Sequence, residues 1–324
     1  MKNSVCVFGS GVWGTALAVA MNNKFGNCTL FTKNPSTFDA INHSHTNKGF
    51  DLSNTIKAEL DLGKLNQYQN IIIASPSYAI YQVIKDLRSV SLNLDVNLII
   101  STKGLDTTKE QFLSETFQQN FKNQIMVLSG PSFADEVITG NLTAVNLASQ
   151  NADLAKKVAD ILSSDKFIVV PSTDVIGLQL SGIMKNILAI LSGILTGLGY
   201  GENTKSAILA KGISEIKRFA KVLGSNQNSS ELGIIGDTLL TALSKKSRNM
   251  SFGLNLVQNH NSGHDQLVEG KLAIDTLLKI AKKNSINLKV IELANDCLNL
   301  AASKEMNKLK PLINHSFSQV VLDI

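Results

Sequence analysis

One lysine in this chain sits where a lysine is costly. Lys185 lies inside GLQLSGIMKNILAILSGIL, a segment with helical spacing whose other faces are leucine and isoleucine. On its own stripe stand Ser181, Gly182, Ala189 and Ser192, a small and polar lane that leaves room for a ligand beside the ammonium. Burial lowers a lysine pKa from about 10.4, by up to ~3–5 units when complete. A value brought down to ~7–8 suits a general acid or base, worth roughly 10²–10⁴ in rate. The alternative, a lysine snorkelling at a helix end, fits poorly with a position in mid-helix.

Other residues belong with it. Gly236-Asp237 and Ser247-Arg248-Asn249 follow in the same half of the chain, and Asp237 is a candidate counter-charge for Lys185. Arginine occurs at only three positions, Arg88, Arg218 and Arg248, in a chain that otherwise uses lysine. Arg248 offers the planar fork that holds a phosphate through two parallel hydrogen bonds, which lysine does not reproduce. Arg88 and Arg218 read as solvated helix faces. Upstream, Ser101-Thr102-Lys103-Gly104 and Ser129-Gly130-Pro131-Ser132 each follow a strand, where open α/β sheets bind ligands. Each motif alone reads equally well as turn chemistry; together they outline one face of a cleft.

The first strand, Ser4–Phe8, runs directly into Gly9-Ser10-Gly11-Val12-Trp13-Gly14 and then the helical TALAVAMNN. Strand, glycine turn and helix in that order make GxGxxG a dinucleotide signature: Gly9 for the turn, Gly11 for approach to a pyrophosphate, Gly14 for helix–strand packing. The reading against it is a glycine turn that binds nothing. Trp13, the single tryptophan, is expected along the cofactor, with a hydrophobic plug as the alternative. NAD-binding sheets end their second strand on an acidic residue; here Cys28-Thr29-Leu30-Phe31 leads into Thr32-Lys33-Asn34. A cation there favours a 2′-phosphate, so NADPH is the expected cofactor, with NADH as the second choice.

The elements that must position these residues fall into two halves. Val- and Ile-rich strands at 4–8, 28–32, 70–75, 97–102, 124–129, 143–148 and 166–170 alternate with helical patterns at 12–24, 78–89, 109–121 and 152–163. That alternation predicts an α/β, doubly wound, mostly parallel Rossmann-type sheet domain over 1–172. Beyond it, helical spacing alone continues through 173–198, 204–223, 231–244, 251–259, 265–284 and 288–303, predicting an all-α domain over 173–324. The net charge of +5 is mild and evenly spread, which argues against a nucleic-acid partner. Cys6, Cys28 and Cys297 make neither a disulfide framework nor a metal site, so no metal and a cytoplasmic, reducing compartment are expected, with no leader before the first strand. The apolar stretch 174–200 is broken by Lys185-Asn186 and falls short of the ~18–20 uncharged residues a membrane span needs; a buried core helix is expected.

Taken jointly, GSGVWGTALA, IIASPS, STKGL, LSGPSFADEV, GLQLSGIMKNILAI, GLGYGENTKSAI, GDTLLT, SRN and LVEG occur in the order and spacing of one family. The chain resembles the bacterial-type NAD(P)-dependent glycerol-3-phosphate dehydrogenases, essentially from end to end. The resemblance implies reversible hydride transfer between NAD(P)H and dihydroxyacetone phosphate, giving sn-glycerol 3-phosphate for glycerophospholipid synthesis. It implies Lys185 as proton donor or acceptor with Asp237 as its partner, and Lys103 as a further cation beside the reacting oxygen. Substrate contacts are implied for Lys103, Gly130, Ser132, Asp237, Ser247, Arg248 and Asn249. Cofactor contacts are implied for Val12, Trp13, Lys33, Lys103, Ala134, Arg248, Leu267 and Glu269. The chain departs from the pattern at Ile234-Ile235-Gly236-Asp237-Thr238, where the family often has GLGDL, at Lys245-Lys246, and at Lys33, where an arginine or histidine is usual. The partners expected are a small phosphate substrate and, in a homodimer, a second copy. Two other readings are a two-domain 3-hydroxyacid dehydrogenase, which wants a carboxylate site, and a non-catalytic NAD(P)-binding protein.

Overall fold

A computed structural model describes residues 4–226, 230–258 and 269–322. The chain divides into two compact units, one of residues 1–106 and 111–175, the other of residues 107–110 and 176–324.

The first unit carries the strands β1 (Val5–Phe8), β2 (Cys28–Phe31), β3 (Thr46–Asn47), β4 (Phe50–Asp51), β5 (Ile56–Glu59), β6 (Asn70–Ile73), β7 (Asn97–Ile100), β8 (Leu105–Asp106), β9 (Gln111–Phe112), β10 (Ile125–Ser129), β11 (Thr143–Ala148) and β12 (Phe167–Ser172). β3 with β4 and β8 with β9 are two-residue antiparallel pairs; the other eight form one sheet in the order β12-β11-β10-β7-β6-β1-β2-β5. Its ladders are parallel except β10 against β11, where Val127 faces Ala148 and Ser129 faces Asn146. The central strands β1, β6 and β7 are buried along their whole length, as strands covered on both faces must be. Successive residues split between two cores. Val7, Leu30, Ile72 and Ile99 face one; Cys6, Phe8, Phe31, Ile71, Ile73, Leu98 and Ile100 face the other.

The helices of this unit are α1 (Val12–Phe25), α2 (Pro35–Asp39), α3 (Ile80–Ser89), α4 (Leu113–Asn120), α5 (Ala134–Ile138) and α6 (Ala152–Leu162). α6 shows how local chemistry sets an element. The Asn151 side chain accepts from Leu154 N at its start, and Ala155, Val158, Ala159 and Leu162 form the buried stripe. The predicted helix over 109–121 begins later, at Leu113, because Gln111 and Phe112 pair with β8 and the Glu115 carboxylate accepts from Phe112 N at 2.8 Å. β5 was not among the predicted strands; its four residues alternate buried and accessible at the sheet edge, too short a period-two signal to stand out.

The second unit is helical: α7 (Val175–Gly197), α8 (Glu202–Val222), α9 (Asp237–Leu243), α10 (Arg248–Gln258), α11 (Glu269–Lys283), α12 (Lys289–Ala302) and α13 (Leu309–Leu322). The expected helix over 231–244 is divided, with a π turn at Leu232–Gly236 leading into α9, and α13 lies beyond the predicted helices. α7 is long and apolar enough to cross a membrane, but 94% of its apolar window is buried in the fold. Its backbone touches that of α10: a Cβ on Gly253 would overlap the Ile190 carbonyl, and one on Gly193 the Met250 carbonyl.

Arg218, expected on a solvated face, donates from Nη2 to the Asn287 carbonyl at 3.0 Å in an exposed bond. One turn earlier on α8, buried Glu215 accepts from Val290 N at 2.9 Å, at the start of α12, while its Oε2 is buried without a partner. Burial raises the Glu215 pKa from 4.5 to about 7, against the backbone bonds from Val290 and Ile291 and the Arg218 charge, and with Glu292 adding to the rise. The unfolded chain releases this proton near 4.5 and the folded chain near 7, so between those values the folded state binds more protons and stability falls as pH rises. We expect Glu215→Gln to match the parent in urea unfolding at pH 5 and to exceed it at pH 8 by about 1–3 kcal/mol. An equal difference at both pH values would contradict this.

Candidate functional site

In the sheet unit, the order of strands turns back between β1 and β6, the switch point where the loops at their carboxyl ends separate. Gly9 follows β1 with φ 115°, and its N–H donates to Phe31 O at 3.0 Å. That φ suits glycine alone, and a Cβ there would come within 2.9 Å of the Ala74 carbonyl. At Gly14 a Cβ would overlap the Gly9 carbonyl oxygen, so α1 rests directly on the loop. Gly11 is the N-cap of α1 and borders open space. The first turn of α1 carries no acidic residue, so nothing offsets its positive end.

Residues absent from the sequence-based set brace this loop. The Thr15 hydroxyl donates to Gly11 O at 2.8 Å, and buried Asn47 donates to Ser10 O at 3.1 Å and to Thr15 Oγ1 at 2.7 Å. The Ser10 and Thr32 hydroxyls share a 2.8 Å bond that joins the loop to the end of β2. Val12 is 45% exposed. Trp13 packs partly on the core, and its Nε1 is buried with no hydrogen-bond partner. Glycines that a side chain would fill, an uncompensated helix N-terminus and an orphaned donor fit a dinucleotide.

Lys33, just past β2, pairs with Asp86 of α3 at 2.7 Å. After β7, the Ser101 hydroxyl donates to Ile73 O at 2.8 Å and that of Thr102 to Ser75 O at 2.7 Å, tying the Lys103 loop to the loop after β6. Gly130 and Ser132 have local reasons for their identities. A Cβ on Gly130 would lie 2.7 Å from Val145 Cα, and the Ser132 hydroxyl donates to Gly130 O at 3.0 Å. Ala134 opens α5, a single turn with Asp135 and Glu136 at its start.

In the helical unit, Lys185 is 5% exposed and its ammonium donates to Asp237 Oδ1 and, at 3.0 Å, to Thr241 Oγ1. Asp237 is 1% exposed and begins α9 directly after the π turn, within one continuous helical run. Thr241, one turn along α9, also donates to Asp237 O at 2.6 Å. Sequence reasoning paired Lys185 with Asp237 but missed Thr241, whose signal was its i+4 spacing from Asp237. Ser247 caps α10 by accepting from Met250 N at 3.3 Å. Arg248 begins α10 and is exposed. The buried Asn249 side chain accepts from Gly270 N at 3.2 Å, and a Cβ on Gly270 would lie 2.9 Å from the Asn186 carbonyl. The starts of α10 and α11 are therefore held beside the middle of α7, next to Lys185. Glu269 is the first residue of α11; Leu267 lies outside the described residues. Among the described residues no group of His, Cys, Asp or Glu side chains is placed to hold a metal.

A mostly parallel sheet with a glycine-rich turn between its first strand and α1, joined to a helical unit with a buried lysine–carboxylate pair, defines a two-unit dinucleotide-dependent oxidoreductase class. Models of the NAD-dependent glycerol-3-phosphate dehydrogenase N-terminus and C-terminus match residues 4–155 and 174–306. The chain belongs to this NAD-dependent glycerol-3-phosphate dehydrogenase family. It is 36% identical over 300 residues to a glycerol-3-phosphate dehydrogenase, NAD(P)+, of Vesicomyosocius okutanii subsp. Calyptogena okutanii (strain HA), covering 90% of this chain and 91% of that one. A relative of the same name from Orientia tsutsugamushi (strain Boryong) is 31% identical over 91% of this chain and 93% of its own. The crystal structure of glycerol-3-phosphate dehydrogenase from Coxiella burnetii superimposes with a TM-score of 0.83 at 30% identity, covering 94% of this chain and 98% of that chain.

The buried pair makes its own prediction. Asp237→Ala leaves the Lys185 ammonium uncompensated in an apolar interior and should lower unfolding stability in urea by about 3–5 kcal/mol. The double variant Lys185→Met/Asp237→Asn should recover most of that loss, since neither charge then remains; a double variant as unstable as the single one would refute the pairing as the cause.

Proposed function

We propose that this chain reduces dihydroxyacetone phosphate reversibly to sn-glycerol 3-phosphate with a nicotinamide dinucleotide, Lys185 serving as the general acid and base. The observation that carries the reading is the buried Lys185–Asp237 pair in a chain of this family. The sheet domain read from the sequence over 1–172 is the cofactor domain and the helical domain over 173–324 the substrate domain. Gly9, Gly11, Val12, Trp13 and Gly14 would hold the pyrophosphate end, with Lys33, Lys103, Ala134, Arg248, Leu267 and Glu269 completing the cofactor contacts. A reduced nicotinamide dinucleotide bound there supplies the hydride that reaches the substrate carbonyl carbon. NADPH is the preferred form, because a cation rather than a carboxylate follows β2.

The chain's own residues do the rest. As negative charge develops on the carbonyl oxygen, the Lys185 ammonium stabilises it and donates its proton. Asp237 and Thr241 orient the nitrogen, and in the reverse direction the neutral amine takes the hydroxyl proton. Lys103 adds positive charge at the reacting oxygen. Arg248 grips the phosphate through its fork, with Gly130, Ser132, Ser247 and Asn249 shaping the site. The product feeds glycerophospholipid synthesis in the cytoplasm, a compartment that suits three free cysteines.

The direct test is oxidation of NADPH and of NADH by dihydroxyacetone phosphate, beside a short hydroxyacid precursor as the competing substrate; turnover of the latter alone would refute the assignment. Lys185→Met should lower kcat by at least about 10³ while dinucleotide binding stays within twofold. The Lys185→Met/Asp237→Asn double variant should behave alike, which separates chemistry from folding. A kcat near that of the parent would remove Lys185 from the proton path. Arg248→Lys should raise KM for dihydroxyacetone phosphate tenfold or more and barely change turnover of dihydroxyacetone. Equal losses for both substrates would make Arg248 structural.

A further inference from the structure

Lys33 is not a bare cation at the end of β2. Its side chain is 54% exposed, yet its ammonium lies 2.7 Å from Asp86 Oδ1 and 2.7 Å from Oδ2, a two-oxygen grip. The carboxylate that makes this grip is itself held. Asp86 lies on α3, its side chain is 9% exposed, and Gln82, one turn earlier, donates from Nε2 to Asp86 Oδ1 at 2.8 Å. The neighbouring hydroxyl of Thr32 is engaged by Ser10 and by Asn34 N. A sheet that binds NAD places a carboxylate at this point to accept from the ribose 2′-hydroxyl, and one that binds NADP replaces it with a cation for the 2′-phosphate. This chain does neither cleanly. It has the cation, and α3 delivers a carboxylate against that cation, so the formal charge of the pair is zero.

We propose that Asp86 is a specificity-determining residue for the cofactor: by neutralising Lys33 it tunes the end of β2 to accept both a 2′-phosphate and a 2′-hydroxyl. The inference rests on the reading of Lys33 as the residue facing the 2′ position. A 2′-phosphate carries between one and two negative charges and must approach Lys33 with the Asp86 carboxylate directly behind the ammonium. It gains the attraction of one charge and meets the repulsion of the other. A 2′-hydroxyl is neutral and meets neither. Lys33 and Asp86 together therefore hold the preference for NADPH below what the lysine would confer alone. The amide of Gln82 fixes the carboxylate so that it cannot swing away when the phosphate arrives.

The test is calorimetric titration of the full chain with NADPH and with NADH, in the parent, Asp86→Asn and Lys33→Ala. Asparagine keeps the shape and an acceptor for Gln82 and Lys33 while removing the charge. We expect Asp86→Asn to tighten NADPH binding about tenfold, to leave the Kd for NADH within twofold, and to lose most of that gain in 0.5 M salt, as a charge effect must. Lys33→Ala should weaken NADPH binding and spare NADH. An equal change for the two dinucleotides in Asp86→Asn, or weaker NADPH binding, would overturn the proposal while leaving the role of Lys33 standing. If Lys33→Ala leaves the NADPH to NADH ratio unchanged, the 2′ reading of Lys33 falls, and the proposal with it. A parent chain that binds neither dinucleotide would instead overturn the proposed function itself.

Discussion

A protonated amine in the middle of an apolar helix sets the terms for the whole helical unit. Removing an ammonium from water costs several kcal/mol even after relaxation, and the Leu- and Ile-rich faces of α7 offer it nothing. The compensation has to come from another part of the chain. It comes from Asp237, which the π turn over Leu232–Gly236 delivers into the first turn of α9. Thr241 closes the group by donating to Asp237 and accepting from Lys185. A group satisfied in this way is rigid, and a rigid, positioned ammonium is what proton transfer requires.

The surrounding packing follows from the same need to hold several helix starts beside one point. α7 and α10 touch backbone to backbone because glycine stands at both Gly193 and Gly253. Gly270 lets the start of α11 sit on the carbonyl of Asn186, and Asn249 ties α10 to that start. Larger residues would push α10 and α11 away from Lys185. The sheet unit solves a related problem with the same residue type. Gly9 and Gly14 bring α1 down onto its own loop, and Asn47, reaching across from β3, bonds the loop carbonyl and the Thr15 hydroxyl together. In both units close backbone approach comes first, and hydrogen bonds then remove the remaining freedom.

Charge is handled with comparable economy. Lys185 and Lys33 are each paired with a carboxylate rather than left to the solvent. The consequences differ with burial. In the interior the pair is a structural necessity, since either charge alone would be expensive. At the half-exposed end of β2 the pair contributes little to folding, and its effect falls on whatever anion approaches next.

Much of the fold was legible from the amino-acid order because its signals are local. Consecutive β-branched residues mark β1, β6 and β7 as doubly covered strands; the glycine spacing after β1 marks the tight turn into α1; Lys185 among leucines marks itself. These need only the periods of strand and helix and the cost of burying a charge. What stayed hidden depended on contacts between residues distant in sequence. The edge strand β5 is defined by its pairing with β2, the split at Gly236 by the turn that aims Asp237, and Arg218 by a carbonyl at Asn287. Thr241, Asn47 and Asp86 are ordinary polar residues until the fold brings them against Lys185, the glycine loop and Lys33. The sequence by itself determined which residue types are available for hydride-transfer chemistry and which elements carry them, because propensity and hydrophobic period act over a few residues. Only the tertiary structure decided which of those residues are held, and by what, because hydrogen bonds and charge compensation are made wherever folding happens to place the partner.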